Sequence, residues 1–235
     1  MTVTAATWSA GAVAFSAAMN NAVDHELSDD AQESGTSASE RLTFFGDAVV
    51  AIALTLLALE LPMPVGSTNS ALLHSAWGQR EGYLAFMISF LVIGSHWRSH
   101  HRLFRYVLGL NSRLTSLTVY WLLMLVITPF ATKLLSGDGA FQVRFTFYAA
   151  VQSAACVLFV LMLQEVRRED LLRPTTPPEL FPRTIQRLTV MAVAFLVSIP
   201  VSFLVGQYAY LCWILAPSVG RIIGTRLSRR DTPAG

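Results

Sequence analysis

Residues 41–62, RLTFFGDAVVAIALTLLALELP, are apolar enough to cross a bilayer yet carry Arg41, Asp47 and Glu60. A hydrocarbon core of roughly 30 Å takes about 20 helical residues, and Pro62 with Pro64 closes the segment at that length. On a helix Arg41 and Asp47 lie about 9 Å apart along the axis and roughly 120° apart in azimuth, so they cannot pair with each other. Each needs a partner from another helix, because an unpartnered charge within a span costs several kcal/mol.

The surrounding chain supplies those helices. Of 235 residues 53% are hydrophobic and 14% charged, with a mean hydropathy of +0.50; this is a membrane-protein composition. Further apolar segments run from Tyr83 to Trp97 and on into SHHRLF, from Leu114 to Thr132 and from Phe145 to Leu163. The stretch from Leu188 to Ile223 is too long for one helix, and Gly206-Gln207 divides it. The expectation is an all-α polytopic membrane protein with six transmembrane helices over residues 40–226. Residues 24–40 carry Asp24, Glu26, Asp29, Asp30, Glu33 and Glu40 without Lys or Arg, which reads as a disordered acidic arm over 1–39. Residues 227–235 read as a short cytoplasmic tail. Cys156 and Cys212 stand inside apolar runs as small hydrophobes.

Orientation follows from the basic residues. Fourteen of the 17 fall on one side of the expected spans, leaving Arg80, Lys133 and Arg144 on the other. The positive-inside rule then puts both termini in the cytoplasm of a multi-pass cell-membrane protein.

Polar groups at the end of the second segment, in SHWRSHHRLF, match Arg41 and Asp47 in depth. Arg41, Asp47, Trp97, His100, His101 and Asn111 are expected to form an interhelical cluster fastening the first three helices. His96 and His100 are spaced to share a face, but no Glu-x-x-His or nearby Cys accompanies them, so no metal is expected. No G-x-S-x-G, H-E-x-x-H or phosphate-cradling glycine loop occurs, so neither an enzyme nor a cofactor is expected. No nucleic-acid partner is expected either. Gly220-x-x-x-Gly224 is a weak helix-contact motif that would suit a purely structural assembly protein.

Ile52, Thr55, Leu56 and Leu59 fall on one stripe of the first helix. Such a stripe ordinarily packs against a neighbouring helix. Here it lies about 140° from Asp47, and Glu60 sits about 40° from Leu56 one turn further out. Branched apolar residues with one hydroxyl and an acidic outer end also suit a hydrophobic cation pore, in which Glu60 attracts cations at the outer mouth.

Arg41-x-x-x-Phe45-Gly46-Asp47 followed by AVVAIALTLLALELPMP resembles the first-helix signature R-x-x-x-F-S-D of the transmembrane-protein-175 type potassium channels. SFLVIGSHWRSHHRLFR and LMLVITPFATKLL resemble the W-x-x-H-H and P-F-x-T segments of the prokaryotic members. The resemblance implies a homotetramer with the first helix lining a central pore that passes potassium and other monovalent cations. It implies a main apolar constriction at Ile52, further pore-lining positions at Leu56 and Leu59, and a hydroxyl layer linked to selectivity at Thr55. The T-V-G-Y-G filter is absent, as in the family. One departure is that Gly46 stands where the family has serine. The alternative reading is a proton-conducting or proton-coupled transporter, with Asp47, His100 and His101 as a relay.

Overall fold

The computed structural model describes residues 37–216 and residue 218. The chain is an all-α, multi-pass membrane protein. Helix α1 spans Ser37–Leu59, α2 Asn69–Gly78, α3 Arg80–Phe104, α4 Ser112–Ser136, α5 Phe141–Arg168 and α6 Leu180–Val205. A 3₁₀ turn at Gly206–Ala209 follows, and α7 starts at residue 210 and is described to 216. Among the described residues the sole β pairing is an isolated bridge between Val107 and Leu172.

Among the described residues, four stretches are long and apolar enough to cross a membrane: α1, α4, α5 and the run Leu180–Ala216. The expected second span appears as α3, whose 25 residues reach about 37 Å. Its second half carries His96, Arg98, His100, His101 and Arg102, which lower its hydropathy. The expected division at Gly206 is present as a reversal of the chain. Gly206 adopts φ +57°, a conformation that suits a residue without Cβ. Beyond it Trp213 comes back alongside α6 and donates from Nε1 to Ser198 Oγ at 2.8 Å. The acidic arm lies outside the described residues except for 37–39, which open α1; the tail 227–235 lies outside them too. A short helix not foreseen in the sequence, α2, joins α1 to α3. Thr68 caps it by accepting from Ala71 N, and Leu73 and Trp77 on it are exposed.

Helices α4 and α5 form the centre. Towards the arginine-rich end, Trp121, Phe159, Met162 and Leu163 pack with Ile93, Leu103 and Val50, and the same core extends along α1 to Leu57. Towards the other end, Phe145, Tyr148, Phe195 and Trp213 form an aromatic cluster, with Phe145 and Trp213 stacked at 4.6 Å. Between the two cores runs a buried polar chain. Thr132 Oγ1 donates to Ser89 Oγ at 2.7 Å, Ser89 Oγ and Tyr148 OH are 3.0 Å apart, and Gln152 Nε2 donates to Thr128 Oγ1 at 3.2 Å. These bonds lock α3, α4 and α5 in register beside Pro129, where α4 lacks a helical N–H.

Helix α1 is the least embedded of these spans. Only 22% of its apolar stretch is buried, against 56% for α5.

Candidate functional site

Helix α1 has two faces. Gly46, Val50, Ala53 and Leu57 are buried on one, and their spacing of four, three and four residues makes a narrow seam against the rest of the protomer. The opposite face presents the stripe. Ile52 is 58% exposed, Leu56 44% and Leu59 80%, and Thr55 is exposed between them. The Thr55 hydroxyl donates to Ile52 O at 2.8 Å. Its hydrogen is thereby committed to the helix backbone, and the oxygen keeps lone pairs free to face outward.

At the N-terminal end of α1, part of the expected cluster assembles. Trp97 Nε1 donates to Asp47 Oδ1 at 2.9 Å. His101 Nδ1 stands 3.7 Å from Asp47 Oδ2, an ion-pair distance but too long for a hydrogen bond. Trp97 and His101 rings lie 5.7 Å apart. Asp47 therefore ties α1 to α3.

Two expected members stand elsewhere, and a third belongs to a neighbouring assembly. Asn111 does not join Asp47. Its Oδ1 accepts from Leu114 N at 2.7 Å, capping α4, and its Nδ2 donates to Glu165 Oε1 at 2.9 Å. Arg113 Nε also reaches Glu165, at 3.3 Å from Oε2. A second polar cluster thus joins α4 to α5, built on a buried carboxylate that the sequence pattern did not single out. Arg41 is exposed and has no ion pair among the described residues; it does not reach Asp47.

His100 is buried in aromatic packing. Its ring stacks on Trp121 at 4.7 Å and on Phe104 at 4.2 Å, while its Nε2 has no hydrogen-bond partner among the described residues. It is not hydrogen-bonded to Asp47 or His101, so these three groups form no continuous hydrogen-bonded relay. A Cβ added at Gly46 would stand 3.5 Å from His100 Cε1, so the position of the family serine faces this imidazole. His96 accepts from Trp121 Nε1 at Nδ1, at 3.2 Å, and its Nε2 is 3.8 Å from Cys156 Sγ. Both histidines thus have packing roles, and among the described residues no group of three His, Cys, Asp or Glu could hold a metal.

The C-terminal end of α1 is fastened separately. Lys133 Nζ lies 2.7 Å from Glu60 Oε2, and Tyr83 OH donates to Pro62 O at 3.0 Å. Gly82 permits this approach, since a Cβ there would meet Pro62 Cγ at 2.9 Å. Glu60, expected as a cation lure, is thus partnered by a lysine.

Residues 41–129 match the sequence model of the family described as the endosomal/lysosomal potassium channel TMEM175. A potassium channel of Streptomyces collinus is 34% identical over 125 residues, covering 52% of this chain and 61% of the relative. A potassium channel of Chamaesiphon minutus is 36% identical over 137 residues, covering 52% of this chain and 63% of the relative. The chain therefore spans less than two thirds of the length of these relatives. Among solved structures, a lysosomal potassium-selective channel TMEM175 homolog from Chamaesiphon minutus matches at a TM-score of 0.64. It is 25% identical and covers 77% of this chain and 96% of its own. A variant of the potassium channel MtTMEM175, 17% identical, shares the fold at a TM-score of 0.59, covering 80% of this chain and 93% of its own. These relatives are ion channels and not enzymes. Over residues 41–129, the chain is similar to the TMEM175 potassium channel family.

Proposed function

We propose that the protein is a potassium-permeable cation channel in the cell membrane, with both termini cytoplasmic, assembled as a homotetramer around α1. The observation that carries this reading is the division of α1 between a buried seam at Gly46, Val50, Ala53 and Leu57 and an exposed stripe at Ile52, Thr55, Leu56 and Leu59. A lone protomer leaves that stripe uncovered; four copies turned inward would enclose it.

Ile52 forms the main constriction. Four such side chains around an axis exclude water, so an ion crosses only when the helices part enough to wet the passage. The Thr55 oxygens lie one turn beyond, about 4.5 Å along the axis. Because their hydrogens point back to Ile52 O, they offer acceptors to a cation and no donors to an anion. Leu56 and Leu59 continue the apolar lining. Discrimination between potassium and sodium is modest, since hydroxyls on a helix replace a hydration shell less fully than stacked carbonyl rings. The sequence contains no T-V-G-Y-G run to supply such rings.

The test is cation flux into liposomes containing the purified full chain, comparing potassium with sodium and wild type with Ile52→Ala. Potassium flux that rises in the variant with a loss of discrimination supports the reading; no potassium flux from the assembled wild-type protein defeats it.

A further inference from the structure

Arg98, Arg102 and Arg187 take no part in the ion path or in any fastening of α1. Arg187 lies on α6 and its Nη2 donates to Ser95 Oγ of α3, so the guanidinium is held against the neighbouring helix. Ser95, Arg98 and Arg102 follow one another at spacings of three and four residues, so all three share one face of α3. Arg98 and Arg102 lie near enough for their positive charges to act on Arg187. Three like charges converge here, and among the described residues no carboxylate pairs with any of them; the ion pairs of other arginines go to Arg113, Arg168 and Arg183.

The depth of the cluster is also defined. Arg98 directly follows Trp97, where the apolar run of α3 ends, and Arg187 directly precedes Leu188, where the apolar run of α6 begins. Both stand where an apolar run meets charged sequence, at the end rich in arginine, a placement that suits headgroup depth. Deeper along the same face of α3, Leu91 and Leu84 are exposed, seven residues apart. The face thus combines concentrated positive charge at headgroup level with an apolar track beneath it.

We propose that Arg98, Arg102 and Arg187 bind the phosphate of an anionic phospholipid whose acyl chains lie along Leu91 and Leu84. Planar guanidinium groups suit the paired oxygens of a phosphate, and basic pockets between helices at this depth are where such headgroups bind. The apolar track distinguishes a lipid from a free phosphate ion, which would gain nothing from it.

The test titrates the full chain, assembled in neutral detergent, with phosphatidylglycerol, phosphatidylcholine or inorganic phosphate, reading bound lipid by native mass spectrometry. Phosphatidylglycerol should bind in preference to phosphatidylcholine, and inorganic phosphate should not displace it. Near a membrane surface each arginine contributes roughly a fivefold factor, so Arg98→Gln/Arg102→Gln should weaken phosphatidylglycerol binding by about 25-fold. Arg168→Gln/Arg183→Gln removes the same formal charge from residues that already have acidic partners and should leave binding unchanged. Equal binding of phosphatidylcholine, displacement by phosphate, or equal losses in the two double variants would overturn the site. Should the first double variant fail to assemble, Arg98→Gln alone should lose about fivefold, and no loss there also overturns it.

Discussion

Trp97 Nε1 sits 2.9 Å from Asp47 Oδ1, joining α1 to α3 across 50 residues of sequence. The indole has one donor and gives it to the Asp47 carboxylate, so the bond depends on that group. Replacing Asp47 with Ala removes it. Because the pair is partly exposed, the loss should be about 1 kcal/mol of protomer stability rather than the larger cost of an orphaned buried charge. Thermal unfolding of the purified assembly measures it, and a Trp97→Phe variant should show a similar decrease that does not add to the first.

Gly46→Ser places a hydroxyl beside the unpartnered Nε2 of His100, and the 3.5 Å clearance to His100 Cε1 leaves room for the new Cβ. Gly46→Ala is the control. Alanine gains about 1 kcal/mol in helix propensity alone. Serine has a weaker propensity and should still match or exceed alanine if its hydroxyl bonds to the imidazole, adding about 0.5–1.5 kcal/mol. Serine less stable than alanine by the propensity difference would show that the bond does not form.

Within the proposed path, Ile52→Asn should increase leak current, because a polar ring wets a constriction that a branched apolar ring keeps dry. Thr55→Val conserves shape and removes the acceptor oxygens. It should reduce the preference for potassium over sodium while leaving assembly intact, measured as a shift in reversal potential under mixed-cation conditions. Unchanged currents in Ile52→Asn would take that residue out of the path.

Glu60 and Lys133 are 2.7 Å apart, with the carboxylate about one third exposed and the ammonium about two thirds. Neutralising both at once should cost less than about 1 kcal/mol of stability. The currents are more telling. Lys133→Met frees the carboxylate and should raise cation conductance at low ionic strength, with the increase fading as salt screens the charge beyond a Debye length of about 8 Å. Glu60→Gln alone should have a smaller effect, since its charge is already opposed by a neighbour. Conductance unaltered by Lys133→Met at low salt would show that Glu60 is remote from the ion path.

Much of α1 was legible in the sequence because its helical period alone separates Val50, Ala53 and Leu57 from Ile52, Leu56 and Leu59. The reversal at Gly206 was legible for a similarly local reason: an apolar run too long for one helix contains a glycine. Partnerships between helices were less accessible, since they depend on how each helix is rotated against the next. Asn111 has the depth to meet Asp47, but its side chain is taken by the start of its own helix and by Glu165. Glu165 itself stands in a charged QEVRR ending that reads as solvated; only packing reveals that it is buried. Trp121 looks like lipid-facing filler within its apolar run, yet it is fully buried and organises both His96 and His100.

The two fastenings of α1 stand thirteen residues apart, at Asp47 and Glu60, about 20 Å along the helix. Between them, among the described residues, α1 meets the rest of the protomer through the apolar side chains of Val49, Val50, Ala53, Leu54 and Leu57, without a hydrogen bond to another helix. Sliding the helix lengthwise would strain both fastenings together. Bowing its middle turns away from α3 and α4 would strain neither, and would shift Ile52 and Thr55 sideways in concert. The helix is mounted like a beam clamped by polar contacts at its ends and held at midspan by apolar packing.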